Sequence, residues 1–552
     1  MRQGDCACAR VVVVVVDGVP RVGATARDGC RARARVARSS RLNRRARVSH
    51  GTRARRLTLC ELACHRIAEF QSLAEMCGAE RNVELESLPG DVAESPFYFV
   101  NLPSEDVARA ICARTLLVRA IIDLWGYGDD LESLKAALVA CPSERKAKYL
   151  AADARFKVEV EDFGLKGGRK HLVERVEALD LPFLGKVDLM SPRDVYWSIH
   201  TDVQPTAGLP MTPKRMFFGR LIAKSDRTIV NTYDLKQRAY LGPTSMDAEM
   251  SLLMANMVRA RRGGVVLDPF CGTGSLLIGA AHYGALTMGL DIDIRVIKHG
   301  KSAQAPKGKD SKFGETSEDG GTVNVWTNFQ QYNLMPPVAL IRGDLHALPT
   351  RTFGLEGTLQ GIVADPPYGV RAGGRKSGGR KPLADDYKIP EELLDEHIPS
   401  TSPYPFGECL DDLMDLAARF LSIGGLICFF VPGECDDPDP ERELPKHPAL
   451  RLRWHSLETF NAVWGRRLVT YEKVAPFDIV AAQKSRAEAE AARLASTEPD
   501  LIERMRALVY SSDRKRARFD QRFKGFSPEE IKVLQQKTRE RLKKSSPSPT
   551  TP

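Results

Sequence analysis

No CxxC pair and no histidine–cysteine cluster at zinc-ligand spacing occurs among the twelve cysteines, which stand scattered as Cys6, Cys8, Cys30, Cys60, Cys64, Cys77, Cys112, Cys141, Cys271, Cys409, Cys428 and Cys435. That spacing argues against a zinc module or a disulfide scaffold and predicts reduced thiols in an intracellular, cytoplasmic setting, with no metal ligands. Long apolar runs are lacking too. The longest near the start is the six valines Val11 to Val16, too short for a secretory core and far below the ~20 residues that cross a bilayer. No membrane segment is expected.

Lysine and glutamate are absent from residues 1 to 58, which hold fifteen arginines and three aspartates, a local charge of +12. The whole chain of 552 residues carries +10, so the remaining 494 residues, with 66 basic and 68 acidic groups, are close to neutral. Global charge therefore carries no argument for a polyanionic partner; any such affinity must come from local patches. The leader has three readings: a disordered basic arm, an organelle transit peptide, or sequence outside the working protein. Its composition favours disorder, because it offers too little periodic apolar area to offset chain entropy.

Periodic order starts near Leu57. LTLCELACHRIAEFQSLAEMCGAE has the three-to-four spacing of an amphipathic helix, and FYFVNL (Phe97 to Leu102) reads as a strand. SEDVARAICARTLLVRAIIDLW then reads as one helix capped by Ser104, and FKVEVEDFG (Phe156 to Gly164) alternates like a strand. These mixed short elements predict an α+β domain over 59–225. From Leu241 the pattern becomes strand, glycine loop, helix, strand. Strands are expected at Val265 to Leu267, Leu286 to Leu290, Val338 to Ile341, Gly361 to Ala364 and Leu426 to Val431, with a helix at Ser275 to His282. The alternation predicts an α/β, Rossmann-like domain over 226–480 with a doubly wound, mostly parallel sheet. A Lys/Gly/Ser-rich stretch, Lys301 to Thr322, reads as a disordered insertion, and RAGGRKSGGRK (Arg371 to Lys381) as a basic loop. Residues 481–552 form an extension: an Ala/Glu-rich helix, a basic stretch from Asp513 to Lys544, and a Ser/Pro/Thr tail.

Two segments carry chemistry. In an open α/β sheet, ligands bind beyond the carboxyl ends of the strands, where the first strand-to-helix turn must let backbone approach them. DPFCGTG (Asp268 to Gly274) suits that role. Gly272 and Gly274 take positive φ and present no Cβ, and Asp268 is placed to accept from a ligand ammonium or from loop amides. Asp291 closes the next strand, where a carboxylate takes both hydroxyls of a ribose. Asp344, after the third, is placed to receive an adenine amino group. Three carboxylates at successive strand ends, with no third glycine at GxGxxG spacing, argue for S-adenosylmethionine over a dinucleotide. Cys271 reads as a small buried residue, since no histidine stands at a motif-like place nearby.

The second segment is DPPY, Asp365 to Tyr368, directly after the fourth strand. An exocyclic amine on a base ring is a poor nucleophile because its lone pair is delocalised. Acceptors that hold its N–H bonds free the pair for in-line attack on a sulfonium methyl. Asp365 supplies a carboxylate, Pro366 a carbonyl, and the two prolines, Pro366 and Pro367, stiffen the turn. Tyr368 supplies a flat face for an unstacked base. The expected reaction is methyl transfer to an amine. On these residues alone the substrate stays open between RNA guanine, adenine in DNA or ribosomal RNA, and a protein amide; a binding protein without catalysis on the same fold is a further alternative.

Around both segments the chain resembles the eukaryotic tRNA guanine-10 N2-methyltransferase family. The likeness runs through NLPSEDVARAICART, LWGYG, LPFLGKVDL, FFGR, TSMDAEMSLLMANM, DPFCGTGSLLIGAAHYGA, GLDID, VWTNFQQYNL, DPPYGVR and RRLVTYEKV, about residues 60 to 480. The resemblance implies an N-terminal RNA-binding region with a THUMP domain, tRNA as substrate and methylation of N2 of guanosine 10. It also implies S-adenosylmethionine as cofactor and a small zinc-binding activator subunit as partner. It places the target amine at Asp365, Pro366, Pro367 and Tyr368, and the cofactor at Asp268, Phe270, Gly272, Gly274 and Asp291. Thr244, Ser245 and Asp247 are expected at the cofactor's methionine end. Candidate phosphate contacts are Lys166, Arg169, Lys170, Lys214, Arg215, Arg371, Arg375, Lys376 and Arg380, each also readable as a solvated surface charge.

Overall fold

The computed structural model describes residues 9–15, 59–81, 83–88, 95–162, 172–201, 214–242, 244–297, 300, 323–350, 354, 356–370, 373–378, 401–460, 463–495, 497 and 499–510. The expected insertion at Lys301 to Thr322 and the basic stretch at Asp513 to Lys544 lie outside them.

The N-terminal unit is built on eight strands: β1 Ala9–Val15, β2 Leu85–Ser87, β3 Phe97–Leu102, β4 Val118–Gly128, β5 Arg155–Asp162, β6 Lys186–Val187, β7 Asp194–His200 and β8 Met216–Lys224. They lie in the order β2-β3-β1-β4-β8-β7-β5-β6. Two expectations fail here. The disordered-leader reading does not hold for Ala9–Val15, which runs antiparallel to both β3 and β4. An unbroken run of β-branched valines suits a strand with neighbours on both sides, and composition averaged over 58 residues hid it. The single helix expected after Ser104 also divides in two. Ser104 does cap a helix, its Oγ accepting from the Val107 amide, but that helix ends at Cys112 and the chain re-enters the sheet as β4. Ile121, Ile122, Leu124 and Trp125 are all buried. A strand covered on both faces has no alternation by which to tell it from a buried helix.

The second sheet has seven strands: β9 Val265–Asp268, β10 Leu286–Asp291, β11 Ala339–Arg342, β12 Leu359–Ala364, β15 Leu421–Glu434, β16 Leu450–Thr459 and β17 Trp464–Lys473. Their order is β11-β10-β9-β12-β15-β17-β16, and a separate two-stranded arm pairs β13 Gly374–Ser377 with β14 Thr401–Tyr404. The first five are mutually parallel, while β17 runs antiparallel to β15 and β16. The helices Ala248–Met257 and Ser275–His282 cover one face and Phe406–Phe420 the other. From β9 the chain winds outward through β10 and β11; from β12 it winds the other way to β15. The loops after β9 and β12 therefore part, leaving a crevice at the carboxyl edge between them.

The helix Leu59–Met76 joins the two units. Its Phe70, Leu73 and Ala74 pack on the N-terminal sheet. Its opposite side meets the second unit, where Trp454 Nε1 of β16 donates to Gln71 Oε1 at 2.8 Å and Ser72 Oγ donates to the carbonyl of Asn256, in the helix Ala248–Met257, at 3.0 Å. No helix among the described residues is long and apolar enough to cross a membrane.

Candidate active site

β9 ends on Asp268, which is 1% exposed and whose Oδ1 accepts from the Phe270 amide at 3.0 Å. Burial pushes its carboxyl well up, and the neighbouring Asp291 and Asp365 add to the effect. The chain then turns through Gly272 at φ +48° and Gly274 at φ +81°. A Cβ on Gly272 would meet nothing closer than the Phe270 carbonyl at 4.0 Å, so room for a ligand lies beside this residue. A Cβ on Gly274 would stand 2.9 Å from Val325 Cγ1. Gly274→Val combines that collision with a left-handed backbone, and it is expected to cost about 2 kcal/mol. Thermal denaturation with and without added cofactor checks this; a melting curve matching the wild type in both conditions would refute it.

Asp291 ties this loop to β10. Its Oδ2 accepts from the Gly272 amide and its Oδ1 from the Asp293 amide, both at 2.9 Å. Burial pushes its carboxyl up as well. Cys271 is buried and its thiol is pushed well up by burial, which makes it a packing residue and not a nucleophile. Asp344 follows β11, but both of its oxygens are engaged, Oδ1 by the His346 amide at 3.0 Å and Oδ2 by the Ser377 amide at 2.5 Å. It thus anchors the β13–β14 arm, and an adenine amino group would have to share an oxygen with Ser377. Residues 374–377 of the expected glycine-rich loop are the strand β13, held by a cluster in which Asp412 accepts from Tyr404 at 2.6 Å and pairs with His346 and Arg486 at 2.8 Å each. Lys376 pairs with the adjoining Glu408.

Of the residues expected at the methionine end, Thr244 is exposed, and Asp247 caps the helix Ala248–Met257 by accepting from the Met250 amide at 2.9 Å. Ser245 touches the glycine loop, with Oγ 2.8 Å from Thr273 Oγ1.

The DPPY turn lies across the crevice. Tyr368 donates its hydroxyl to Asp365 Oδ1, and its ring meets Phe406 edge-on at 6.1 Å. Burial pushes the Asp365 carboxyl up, opposed by the Tyr368 hydrogen bond and by Arg466. Two contributors escaped sequence reading. Arg466, from β17, pairs with Glu458 and lies over the Phe430 ring, and its charge favours the ionised form of Asp365. Arg506, from the helix Leu501–Tyr510 of the C-terminal extension, donates Nε at 3.0 Å and Nη2 at 2.7 Å to the carbonyl of Gly369, the residue after the turn. The only sequence signal for Arg466 was its place in RRLVTYEKV; Arg506 had none.

Among the expected phosphate contacts, Arg215 is a correction: it is buried, 3.7 Å from Asp129, and so is not presented to a polyanion. Arg375 donates to Thr401 Oγ1 at 2.9 Å, and Lys214 is exposed. Lys166, Arg169, Lys170, Arg371 and Arg380 lie outside the described residues.

A parallel sheet ending in an antiparallel hairpin, with a glycine loop and an acidic proline turn facing each other at its switch point, defines a class I methyltransferase. The model of the Tmrp11 THUMP N-terminal domain matches residues 61–227, and that of the RMKL-like methyltransferase domain matches residues 236–381. The tRNA (guanine(10)-N(2))-methyltransferase TRMT11 of Gallus gallus is 33% identical over 417 residues, 75% of this chain and 86% of the relative. The Homo sapiens protein of the same name is 31% identical over 75% of this chain and 86% of its own length. That of Dictyostelium discoideum is 34% identical over 76% and 81%. A crystal structure of TrmN from Thermus thermophilus aligns at TM-score 0.31 and 17% identity over 74% of this chain and 96% of that one. The chain belongs to the TRMT11 family of tRNA (guanine(10)-N(2))-methyltransferases.

Proposed function

We propose that this chain is the catalytic subunit that transfers the methyl of S-adenosylmethionine to the exocyclic N2 of guanosine 10 in tRNA. The observation that carries the chemistry is the meeting of Asp268, Asp291 and Asp365 at one crevice, with open room beside Gly272. The donor set suits the cofactor: Asp268, Phe270, Gly272, Gly274 and Asp291 line its place, with Asp344, Thr244 and Asp247 at the margins. The cofactor brings an electrophilic methyl on a sulfonium. The chain's own part is to hold the amine. Asp365 and the Pro366 carbonyl accept its two N–H bonds, and Tyr368 offers its ring to the base. Because the Tyr368 hydroxyl donates to Asp365, the incoming amine either displaces it from Oδ1 or takes the other oxygen.

The unit spanning 59–225, extended by β1, grips the tRNA; 226–480 carries out the transfer; 481–552 supports it. A small zinc-binding subunit activates the chain. Incubation of the chain, alone and with proteins captured on it from its own cell extract, with unmodified tRNA and S-adenosylmethionine tests this. N2-methylguanosine at position 10 is the expected product by mass spectrometry of the nucleosides. N6-methyladenosine in its place, or no methylated nucleoside under either condition, would defeat the reading.

A further inference from the structure

The catalytic turn is stiff at its start and loose at its end. Pro366 and Pro367 lock their own φ angles, whereas the chain leaves Tyr368 through Gly369 at φ +79°, a residue with no side chain to pack. The hold on this joint comes from 137 positions away. Arg506 of the helix Leu501–Tyr510 donates Nε at 3.0 Å and Nη2 at 2.7 Å to the Gly369 carbonyl. Two donors of one planar fork converge on a single oxygen, which fixes its direction as well as its distance.

The helix that carries Arg506 is itself anchored. Asp500 Oδ1 caps its first turn by accepting from the Glu503 amide at 2.7 Å. Ile502 and Met505 are buried, and with Leu501, Leu508 and Val509 they lay an apolar stripe on the core cluster against which Tyr368 also packs. Arg504 pairs with Glu434, the last residue of β15, at 3.0 Å and with Glu443 at 2.8 Å. A Cβ on Gly369 would stand 3.6 Å from Ile502 Cγ2 and 3.7 Å from Arg506 Nη2, so the helix lies directly against the end of the turn.

We infer that Arg506 is a positioning residue for methyl transfer: by clamping the Gly369 carbonyl, it keeps Tyr368, Asp365 and the Pro366 carbonyl in the arrangement that an incoming amine requires. The inference rests on the methyl-transfer reading above. A turn that swings at Gly369 carries Tyr368 with it, and Tyr368 donates to Asp365. In-line attack tolerates little error, since a misplacement of about 1 Å costs up to about 100-fold in rate. Because Arg506 acts through backbone, its loss should fall on turnover and spare the binding of both ligands. The rival role for an exposed arginine at this place is a contact to tRNA phosphate, which would act on KM instead.

The full chain, with its activator if one is required, is assayed on unmodified tRNA. Arg506→Met is expected to lower kcat about tenfold, with KM for tRNA and for S-adenosylmethionine within about threefold of wild type. Hydrogen exchange followed by mass spectrometry is expected to quicken in the peptide that holds Tyr368, Gly369 and Val370. Arg506→Lys, a point donor in place of a fork, is expected to recover part of kcat. Glu503→Gln, at an exposed position of the same helix, is expected to match wild type in both measurements. Should Arg506→Met loosen the whole helix, seen as faster exchange across Leu501–Tyr510, the lysine variant decides. With the helix docked, a lowered kcat and faster exchange at the turn support the inference, and wild-type values of both overturn it. Wild-type kcat in Arg506→Met, unchanged exchange at the turn, or a loss confined to KM for tRNA with a shallower salt dependence, would also overturn it. A wild-type chain that methylates nothing would instead overturn the functional reading on which it stands.

Discussion

Asp365→Ala is expected to lower methyl transfer at least ~1000-fold, the scale on which a positioned acceptor for a reacting proton acts, while tRNA and cofactor bind within about threefold of wild type. The asymmetry follows from geometry. Asp365 is held by its own turn, followed by two prolines and a tyrosine, and it accepts from the Tyr368 hydroxyl. Removing it should cut the pairing to the amine without undoing the loop at Asp268 or the cap at Asp247. Asp365→Asn should fail nearly as badly, because an amide nitrogen placed against the substrate amine offers a donor to a donor. Single-turnover kinetics with equilibrium binding of both ligands measures the split. A variant that retains activity within about tenfold of wild type, or one that loses cofactor affinity in step with turnover, would remove Asp365 from the role assigned to it.

The largest effect on stability is expected far from the chemistry, at Glu69. This residue of the helix Leu59–Met76 is 0% exposed. Its Oε1 accepts from the Leu116 amide at 3.0 Å and Asn256 Nδ2 at 2.8 Å, and its Oε2 from the Leu117 amide at 2.9 Å and Thr115 Oγ1 at 2.7 Å. One carboxylate thus satisfies the turn that leads into β4 and a side chain of the methyltransferase unit. Every group around it is a donor, so Glu69→Ala leaves the Leu116 amide and the Thr115 hydroxyl buried without this acceptor, and reduces the Leu117 amide to Thr115 Oγ1 and Asn256 Nδ2 to the Arg114 carbonyl. The expected cost is about 3 to 5 kcal/mol. Glu69→Gln, which turns a donor toward donors, should fall between. Denaturant unfolding measures both, and a loss below about 1 kcal/mol for the alanine variant would show that water or a shifted side chain takes over the acceptor role.

Asn256 also accepts from Arg114, at 3.0 Å and 3.2 Å, and the Arg114 guanidinium lies 3.8 Å over the Tyr283 ring. These contacts explain why the two units form one continuous packing. A helix that looks in sequence like an ordinary amphipathic segment is buried on two sides, against the N-terminal sheet through Phe70 and Leu73 and against β16 through Gln71 and Glu75.

Local chemistry made much of the active site legible before any coordinates. Glycines that need positive φ, an acidic residue at a strand end, and paired prolines before a tyrosine are each required by backbone geometry and by what the ligand asks of it, so DPFCGTG, Asp291 and DPPY could be placed by pattern. The five parallel strands were legible for the same reason, their apolar runs being short and bounded by turn residues. What escaped depends on contacts between segments distant in the chain. The strand Ala9–Val15 was lost in the average of an arginine-rich leader. β4 was taken for helix because burial on both faces erases its period. The hold of Asp344 on the Ser377 amide, 33 positions on, has no local signal. Arg215 was counted as a surface charge although it is buried.

The sequence by itself determined the reaction class and the two loops that face each other, because those depend on residue types at short range. Only the tertiary structure decided which helix braces Gly369 and how the N-terminal unit is fastened to the catalytic one. Arg506 and Glu69 owe their roles to partners 137 and 187 positions away. Side chains that differ in no local respect from solvated charges acquire function only when folding removes the water around them and leaves one partner in reach.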